Sequence, residues 1–275
     1  MPKTAIQDAQ ALASRLVGAR LTATPLARYP GEAPTDLASA YAVQDAAIAM
    51  WPDAVAGWKV GLIPPDHRAA YGGERLAGPI FAKQVSLASD TPTILPIIRG
   101  GFAAAEAELV IAVGREPPAD KQSWSVDEAA DYAGAMYVGV ELAGSAFKGI
   151  NDFGPAITAS DFGNNAGLVL GREIADWRDA RLDDVSICTQ IDGVEVGRGT
   201  SANIPGGPLA AFSFILGHCA ARGIRLAPGA LISTGAITGV HIVEPEQDIL
   251  IDFGAHGAIA CHTVDAGQSK RAASA

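Results

Sequence analysis

Two glutamates share one short apolar segment of the chain. Glu106 and Glu108 lie within residues 104–114, a run of Ala, Leu, Val and Ile that ends at Gly114 and is followed by Pro117-Pro118, a turn signal. This pattern predicts a β-strand, in which alternate side chains point to the same face, so the two carboxylates share a face with Cα atoms about 7 Å apart. Ionised carboxylates this close disfavour each other unless one takes up a proton or a cation lies between them. The segment therefore predicts a site for a hard divalent ion.

The alternative for this pair is a solubilising role on the solvent face of an edge strand. The flanking residues are almost entirely apolar and no polar face accompanies the pair, which favours the metal site. Glu141, near the end of a predicted strand at 137–142, supplies a third oxygen ligand, although a glutamate in that position is often simply solvated. Mg²⁺ prefers oxygen ligands and keeps several waters, so three carboxylates would leave positions open for a bidentate substrate.

A lysine is the next candidate for chemistry. Lys59 lies in a predicted strand at 55–62, between Trp58 and Val60 and bracketed by glycines. Desolvation would lower the pKa of its ammonium and nearby carboxylates would raise it, and the sequence alone does not weigh the two effects. The alternative is a strand lysine that points to water.

A strand that ends in Ser233-Thr234-Gly235 is the third candidate element. Hydroxyl groups and free backbone N–H groups at a tight turn suit a carboxylate ligand, and an ordinary turn is the alternative. His67 lies in a predicted loop at 63–75 that we expect to cover the site, while the other histidines stand alone in the sequence and favour structural or surface roles.

The composition is that of a folded globular protein that does not bind nucleic acids. A chain of 275 residues that is 49% hydrophobic can bury a large core. Its formal net charge of −10 argues against nucleic-acid partners, because phosphate contacts require a surface rich in Lys and Arg. No apolar signal core and no run of about 18 apolar residues occurs, so we expect a cytoplasmic protein without a membrane segment. The cysteines form no C-x-x-C pair and predict buried thiols rather than disulfides or a zinc site.

The elements that must position these residues are mainly strands. Helices are predicted at 5–20, at 35–50 from a Thr35/Asp36 cap, at 125–136 from a capping box of Ser125 with Glu128, and at about 207–222. Further strands are predicted at 78–81, 93–98, 167–171, 185–191, 194–196, 230–234, 249–253 and 257–261, with a hairpin turn at Asp192-Gly193. Many strands with few helices predict an α+β protein with a large curled β-domain. We expect an N-terminal helical portion and cover loop in 1–90, a catalytic β-domain in 91–267 and a tail in 268–275.

Five segments resemble, in the right order, motifs of the fumarylacetoacetate hydrolase superfamily, and within it of the 2-keto-4-pentenoate hydratase and 2-oxo-3-hexenedioate (4-oxalocrotonate) decarboxylase group. They are Gly-Trp-Lys-Val-Gly at 57–61, Glu-Ala-Glu at 106–108 with Glu141, the segments 160–171 and 199–211, and Ser-Thr-Gly at 233–235 with Gly239-Val240. The chain departs from that group at Leu76-Ala77, where an acidic residue is usual, and at Phe162, where many members have Asn.

The resemblance implies a fold: a large rolled mixed β-sheet domain, fumarylacetoacetase C-terminal-like, with a smaller N-terminal helical portion and assembly into a homo-oligomer. It also implies Mg²⁺ or Mn²⁺ held by Glu106, Glu108 and Glu141, a small 2-oxo acid as substrate, and Lys59 as the catalytic residue. The residues that we expect to bind substrate are Ser233, Thr234, Gly235, Asp161 and His67.

The activity implied by the resemblance is that of a hydro-lyase. Such a hydratase adds water to a 2-hydroxy-2,4-dienoate to give a 4-hydroxy-2-oxo acid in the breakdown of aromatic compounds. The rival is decarboxylation of a 2-oxo-3-enedioate, which needs a second cationic contact for the distal carboxylate, and Arg68, Arg75 and Arg99 are candidates for it. A non-catalytic member that binds a small acid or a partner protein is the remaining alternative.

Overall fold

The computed structural model describes residues 3–179 and 182–268, and most of its regular structure is β-sheet. The strands in chain order are β1 Val55–Leu62, β2 Arg75–Phe81, β3 Val85–Leu87, β4 Thr93–Ile97, β5 Phe102–Val113, β6 Ala133–Ser145, β7 Asn165–Glu173, β8 Ile187–Ile191, β9 Val194–Gly199, β10 Leu231–Ser233, β11 His241–Ile242, β12 Asp248–Asp252 and β13 Ala258–Asp265.

These strands form two mixed sheets. The larger sheet has eight strands, in the order β2-β1-β10-β5-β6-β7-β3, with β11 beside β5. The smaller sheet has the order β4-β13-β12-β8-β9. The β1–β10, β3–β7 and β4–β13 pairs are parallel, whereas the remaining pairs are antiparallel. The predicted α+β class with a large curled mixed sheet is confirmed.

The helices lie mainly before and between the strands. They are α1 Lys3–Thr22, α2 Leu37–Met50, α3 Pro65–Tyr71, α4 Val126–Ala130, α5 Pro155–Ser160 and α6 Gly207–Ala221. The helix α2 begins as the sequence predicts, because the side chain of Asp36 accepts a hydrogen bond from the backbone N–H of Ser39 at 2.7 Å. No helix within the described residues has the length and apolar character that a membrane span requires.

One apolar core lies between the two sheets and α6. The larger sheet contributes Leu109 and Val140, the smaller sheet contributes Ile249 and Ile259, and α6 contributes Phe212, all of them almost fully buried. A second cluster holds α1 and α2 against β2. The main core therefore covers only one face of the larger sheet, which leaves the other face of its central strands for the site.

The helix predicted at 125–136 is shorter in the structure. Its capping box between Ser125 and Glu128 forms as expected, but α4 ends at Ala130. From Ala133 the chain is already in β6 and pairs with β5 as far as Val113. Pairing with a long central strand thus overrides the helical signal of the sequence. The structure also adds β3, β11 and α5, which the sequence did not predict, and residues 269–275 of the predicted tail lie outside the described residues.

A buried ion pair joins the N-terminal helices to the larger sheet. Arg20, at the end of α1, donates from Nε to Oδ1 of Asp161 at 2.5 Å, and from its other nitrogens to the carbonyls of Asn165 and Gly144. The second carboxylate oxygen of Asp161 accepts from the Ser145 hydroxyl at 2.5 Å. Both charged side chains are at most 6% exposed. The pair fixes α1 against the strands that carry the site.

Replacement of Arg20 should therefore destabilise the protein strongly. In Arg20→Met the carboxylate of Asp161 stays buried without its cation, which costs about 3–5 kcal/mol, and we expect a melting temperature lower by roughly 10 °C. Scanning calorimetry measures the effect, and Arg15→Met on the exposed side of α1 is the matched control. The double variant Arg20→Met/Asp161→Asn should recover part of the loss. A melting temperature of Arg20→Met within about 2 °C of the wild type would contradict this account.

Candidate metal centre

The alternation of side chains along β5 places its two glutamates opposite the main core. Ala105, Ala107 and Leu109 point into the apolar cluster between the sheets. Because successive side chains of a strand alternate between faces, Glu106 and Glu108 point to the other face. They are nevertheless buried, with 6% and 1% of their surface exposed, respectively. The alternative of a solvated edge pair does not hold, since β5 is a central strand.

The third glutamate comes from the neighbouring strand. The antiparallel register of β5 and β6 sets Glu141 directly across from Glu106, and Glu141 is fully buried. One carboxylate oxygen from each of the three glutamates lies within 4.8 Å of the other two. Directly opposed residues of antiparallel strands have their side chains in contact range, so register alone brings the acids together. Such an all-oxygen cluster could hold a hard divalent cation.

Lys59 extends from β1 toward the same cluster. Its Nζ lies 3.5 Å from Oε1 of Glu141, and its side chain is 8% exposed. The predicted alternative of a lysine that points to water is therefore excluded by its burial. Asn165 also contacts Glu141, because its Nδ2 donates to Oε1 of that carboxylate at 3.1 Å. The other oxygen of Glu141 is buried and has no hydrogen-bond partner among the described residues.

The buried charges do not balance without a cation. Within the part of the chain that the structure describes, the buried acidic and basic residues are Arg20, Asp161, Lys59 and the three glutamates. The ion pair of Arg20 with Asp161 is neutral, and Lys59 offsets one glutamate. Two negative charges then remain in an apolar setting, where uncompensated charge is very costly. The donor set, the surplus charge and the partnerless oxygen all fit a bound divalent ion.

The pKa values respond to the same crowding of charge. Burial would lower the pKa of Lys59, but the carboxylates of Glu141, Glu106 and Glu108 outweigh it, so that the pKa lies above its usual value. Burial raises the pKa of Glu106 to about 7, against the influence of Lys59. Burial, together with Glu141 and Glu106, raises the pKa of Glu108 well above its usual value. Without a metal the cluster therefore retains protons that a bound cation would displace.

The cluster opens into a cavity of about 620 Å³. Lys59 and Glu106 line its inner end. Its apolar wall consists of Val60, Leu62, Leu76, Phe102, Val240 and Ile242. The polar side chains that line it are His67, Asn151, Asp152, Thr158 and Asn164. The site thus combines a charged inner end with a mixed outer chamber large enough for a small organic acid.

The structure places the predicted substrate-binding residues in different settings. His67, on α3, and Gly235 line the cavity. The N–H of Gly235 is already bonded to Oε2 of Glu108 at 2.6 Å, and the hydroxyl of Thr234 is bonded to the carbonyl of Leu109 at 2.8 Å. These groups hold the metal-ligand strand rather than stand open for a carboxylate.

The two remaining predicted residues are fully buried. The Ser233 hydroxyl has no hydrogen-bond partner among the described residues. Asp161 does not line the cavity, and its carboxylate is engaged by Arg20 and Ser145. A substrate in this cavity would therefore contact His67 and Gly235 before it reached Ser233 or Asp161.

Two neighbouring asparagines in the cavity region were not among the predicted site residues. Asn165 holds Glu141, and Asn164 lines the cavity. Both lie within the segment 160–171 whose pattern was noted in the sequence, so the segment itself was the available signal. Which side chains of it would reach the site depended on the backbone turn at 162–164.

The fold and the buried acidic cluster define an α+β protein with a candidate divalent-metal site at the inner end of a cavity. The family described as fumarylacetoacetate (FAA) hydrolase C-terminal matches residues 58–263. The chain belongs to this family, as its sequence motifs indicated. No match is found among curated proteins.

Several solved structures have a similar fold. The 4-oxalocrotonate decarboxylase from Pseudomonas putida G7, complexed with magnesium and adipate, is 19% identical with a TM-score of 0.78, over 94% of this chain and 98% of that one. The fumarylpyruvate hydrolase from Pseudomonas aeruginosa, in complex with Mn²⁺ and pyruvate, is 18% identical with a TM-score of 0.55, over 76% and 88%. The 2-hydroxyhepta-2,4-diene-1,7-dioate isomerase from Mycobacterium marinum is 18% identical with a TM-score of 0.52, over 78% and 77%. At these identities the likeness shows the fold.

Loss of one ligand should abolish tight metal binding. Glu108→Gln removes a charged oxygen from the cluster, and we expect the affinity for Mg²⁺ to fall by about 100-fold or more. Isothermal titration calorimetry with MgCl₂ measures the change. Glu195→Gln, on the exposed strand β9, is the control and should bind like the wild type. Equal affinities of Glu108→Gln and the wild type would show that the cluster is not the metal site.

The raised pKa values also predict how stability depends on pH. In the metal-free protein Glu106 binds its proton more tightly than in the unfolded chain, so the free energy of unfolding falls as the pH rises from 4.5 to about 7. Burial lowers the pKa of His218 to about 3, which acts in the opposite sense below its usual value of 6.5. Comparison of the wild type with Glu106→Gln cancels the contribution of His218.

We expect the melting temperature of the metal-free wild type to fall relative to that of Glu106→Gln by roughly 5 °C across this pH range. Saturating Mg²⁺ should remove the fall in the wild type itself, because the bound ion compensates the ionised carboxylates. Thermal melts in matched buffers test this expectation. Parallel pH profiles of the two metal-free proteins would contradict it.

Proposed function

We propose that the protein is a divalent-metal-dependent hydratase that adds water to a 2-hydroxy-2,4-dienoate of the 2-oxo-4-pentenoate type and yields a 4-hydroxy-2-oxo acid. The observation that carries the proposal is the buried cluster of Glu106, Glu108 and Glu141, with its two surplus negative charges, at the inner end of a cavity beside Lys59. Structures of the same fold hold magnesium with adipate, and Mn²⁺ with pyruvate, a 2-oxo acid. This supports a metal-bound oxo acid as the ligand class.

The three glutamates would hold Mg²⁺ or Mn²⁺. A bound ion of this kind would act as a Lewis acid toward negative charge that develops on the oxygens of a 2-oxo acid. Two hydrogen bonds hold the ligands in place: the N–H of Gly235 donates to Glu108, and the side-chain amide of Asn165 donates to Glu141. Ligands that are held in advance need no rearrangement when the charge develops.

Lys59 is the residue that we assign to proton handling. Its ammonium lies beside Glu141 and lines the cavity, so it can reach a substrate at the inner end. The surrounding carboxylates favour its charged form, which suits the donation of a proton or hydrogen bond to a carbon or oxygen that gains electron density. We propose that it donates or stabilises the proton that moves as the dienol becomes a ketone.

The outer chamber favours a substrate with one carboxylate. Decarboxylation of an enedioate needs a cation for the distal carboxylate, but no arginine lines the cavity in the described part of the chain. Arg68 bonds to the carbonyl of Ile63, Arg75 to that of Pro205, and Arg99 to Asp265. Asp152, an acidic residue, lines the chamber instead. A second carboxylate would meet like charge there.

The decarboxylase remains the second candidate, supported by the fold shared with the 4-oxalocrotonate decarboxylase over nearly the full length of both chains. A non-catalytic role is less well supported. Two uncompensated buried charges destabilise a scaffold, and a protein that needed only the fold would gain stability from apolar residues in their place.

Turnover separates these candidates. The ultraviolet band of 2-hydroxypenta-2,4-dienoate and that of 2-oxo-3-hexenedioate are followed with Mg²⁺ and with a chelator, and the products are analysed by mass spectrometry. We expect metal-dependent gain of one water on the dienoate and a kcat/KM at least about tenfold lower on the dicarboxylate, a difference of about 1.4 kcal/mol in transition-state stabilisation. Loss of carbon dioxide as the main reaction would favour the decarboxylase. Absence of metal-dependent turnover of both substrates would refute the proposal.

Replacement of Lys59 tests the role assigned to it. Lys59→Met keeps the three metal ligands but removes the cation that faces the substrate, and we expect kcat to fall about 100-fold or more while Mg²⁺ still binds. Steady-state kinetics and calorimetric titration measure the two effects. Lys83→Met, on the exposed turn after β2, is the control. An unchanged kcat in Lys59→Met would show that the lysine serves only to balance charge.

A further inference from the structure

The turn between α5 and β7 has an unusual backbone that brings one side chain to the cavity. Phe162, Gly163 and Asn164 follow one another in the left-handed region, with φ of +56°, +60° and +67°. The turn packs tightly on β2, because a Cβ added to Gly78 would lie 1.9 Å from the carbonyl oxygen of Phe162. Two of these three residues carry a Cβ, so they adopt a conformation that side chains disfavour. The surrounding structure must hold them there.

The side-chain amide of Asn164 is buried, and only one of its two polar atoms has a hydrogen-bond partner among the described residues. The residue is 4% exposed and lines the cavity together with Lys59 and Glu106. Its Nδ2 lies 3.5 Å from Oδ1 of Asn151, whereas its own Oδ1 is buried and has no hydrogen-bond partner among the described residues. Buried polar atoms are almost always bonded, so an unpartnered oxygen in a residue that lines a cavity points to a ligand.

The neighbouring residue joins this turn to the metal centre. Asn165 follows directly and bonds to Glu141, so the two asparagines place one amide on the metal cluster and the next at the cavity wall. An amide oxygen only accepts hydrogen bonds, and the carboxylate and oxo groups of a 2-oxo acid are acceptors too. The partner of Oδ1 must therefore be a donor. The 2-hydroxyl of the dienol belongs to the end of the substrate that we assign to the metal, so water is the donor that we assign to this oxygen.

The geometry points to Asn164 as the residue that binds the water molecule that adds to the substrate, an inference that rests on the proposed function. Ketonisation comes first: the enol hydroxyl loses its proton and C5 gains one, which gives a 2-oxo-3-enoate with a C3–C4 double bond. In the addition, the water oxygen forms a bond to C4 and the electron pair of that double bond moves to C3. C3 gains one proton and the water loses one, so atoms and electrons balance without a further reactant. The amide does not take the proton. It holds the water in line with C4 while Lys59 and the metal-ligand cluster act on the other end of the substrate.

Asn164→Gly separates this role from a purely conformational one. Asparagine tolerates the left-handed region, and glycine tolerates it better, so the variant should melt at or above the temperature of the wild type. If the side chain binds water, kcat should fall at least about 30-fold, with KM, Mg²⁺ affinity and metal-dependent oxalate binding changed by less than about threefold. Incorporation of solvent deuterium during ketonisation of the dienol should continue, because that step does not use the bound water.

Two further variants sharpen the test. Asn164→Asp keeps an acceptor oxygen and the left-handed preference, and should retain more hydration than Asn164→Gly. Asp176→Gly makes the same kind of change at an exposed left-handed residue, φ +51°, that does not line the cavity, and should behave as the wild type.

The outcomes distinguish the inference from the proposed function. A kcat of Asn164→Gly within about twofold of the wild type overturns the inference alone, because the side chain would then serve only the backbone. Parallel losses of hydration and of metal or oxalate binding also overturn it, since Asn164 would then act through the ligand cluster. A wild type that is inactive on the dienol overturns the proposed function and this inference with it.

Discussion

The rest of this structure depends on one buried cluster of charge, in which three carboxylates and one ammonium lie together in an apolar setting. Two negative charges remain after Lys59 offsets one glutamate, and no other buried cation in the described residues is free to offset them, because Arg20 is committed to Asp161. Desolvated charge of this size is tolerated only when a counter-ion or protons compensate it. The raised pKa values of Glu106 and Glu108 are the metal-free form of that compensation, and a divalent cation is its stable form.

The larger sheet can hold such a cluster because one of its faces packs into the apolar core and the other carries the charged residues. One face of β5 and β6 packs into the main core between the sheets, so the strands are rigid and fully paired. The other face carries the acids, and hydrogen bonds from Gly235 and Asn165 fix their orientation. The Arg20–Asp161 pair then fastens the N-terminal helices over the same strands. The apolar face stabilises the sheet. The opposite face can therefore keep a cluster of buried charges that would destabilise the protein by itself.

The chain belongs to the fumarylacetoacetate (FAA) hydrolase C-terminal family, and the solved structures with a similar fold include a decarboxylase, a hydrolase and an isomerase. A metal ion that binds the oxygens of an oxo acid is an electron sink that can serve more than one kind of reaction. The outer chamber must then decide the reaction and the substrate. In this chain that chamber has an apolar wall, an acidic residue and the amide of Asn164.

The sequence by itself determined that Glu106 and Glu108 share a face, because alternation along a strand is local geometry and needs only the apolar run around them. It also indicated the family, the α+β class and α2 with its Asp36 cap. Only the tertiary structure decided that Glu141 lies opposite Glu106, since register between strands is a non-local property. The same holds for β6, which begins within the predicted helix at 125–136, and for Asp161, whose charge is taken by a residue 141 positions away. The left-handed backbone at 162–164 places Asn164 at the cavity. This segment packs on Gly78, and no local sequence pattern encodes that long-range contact.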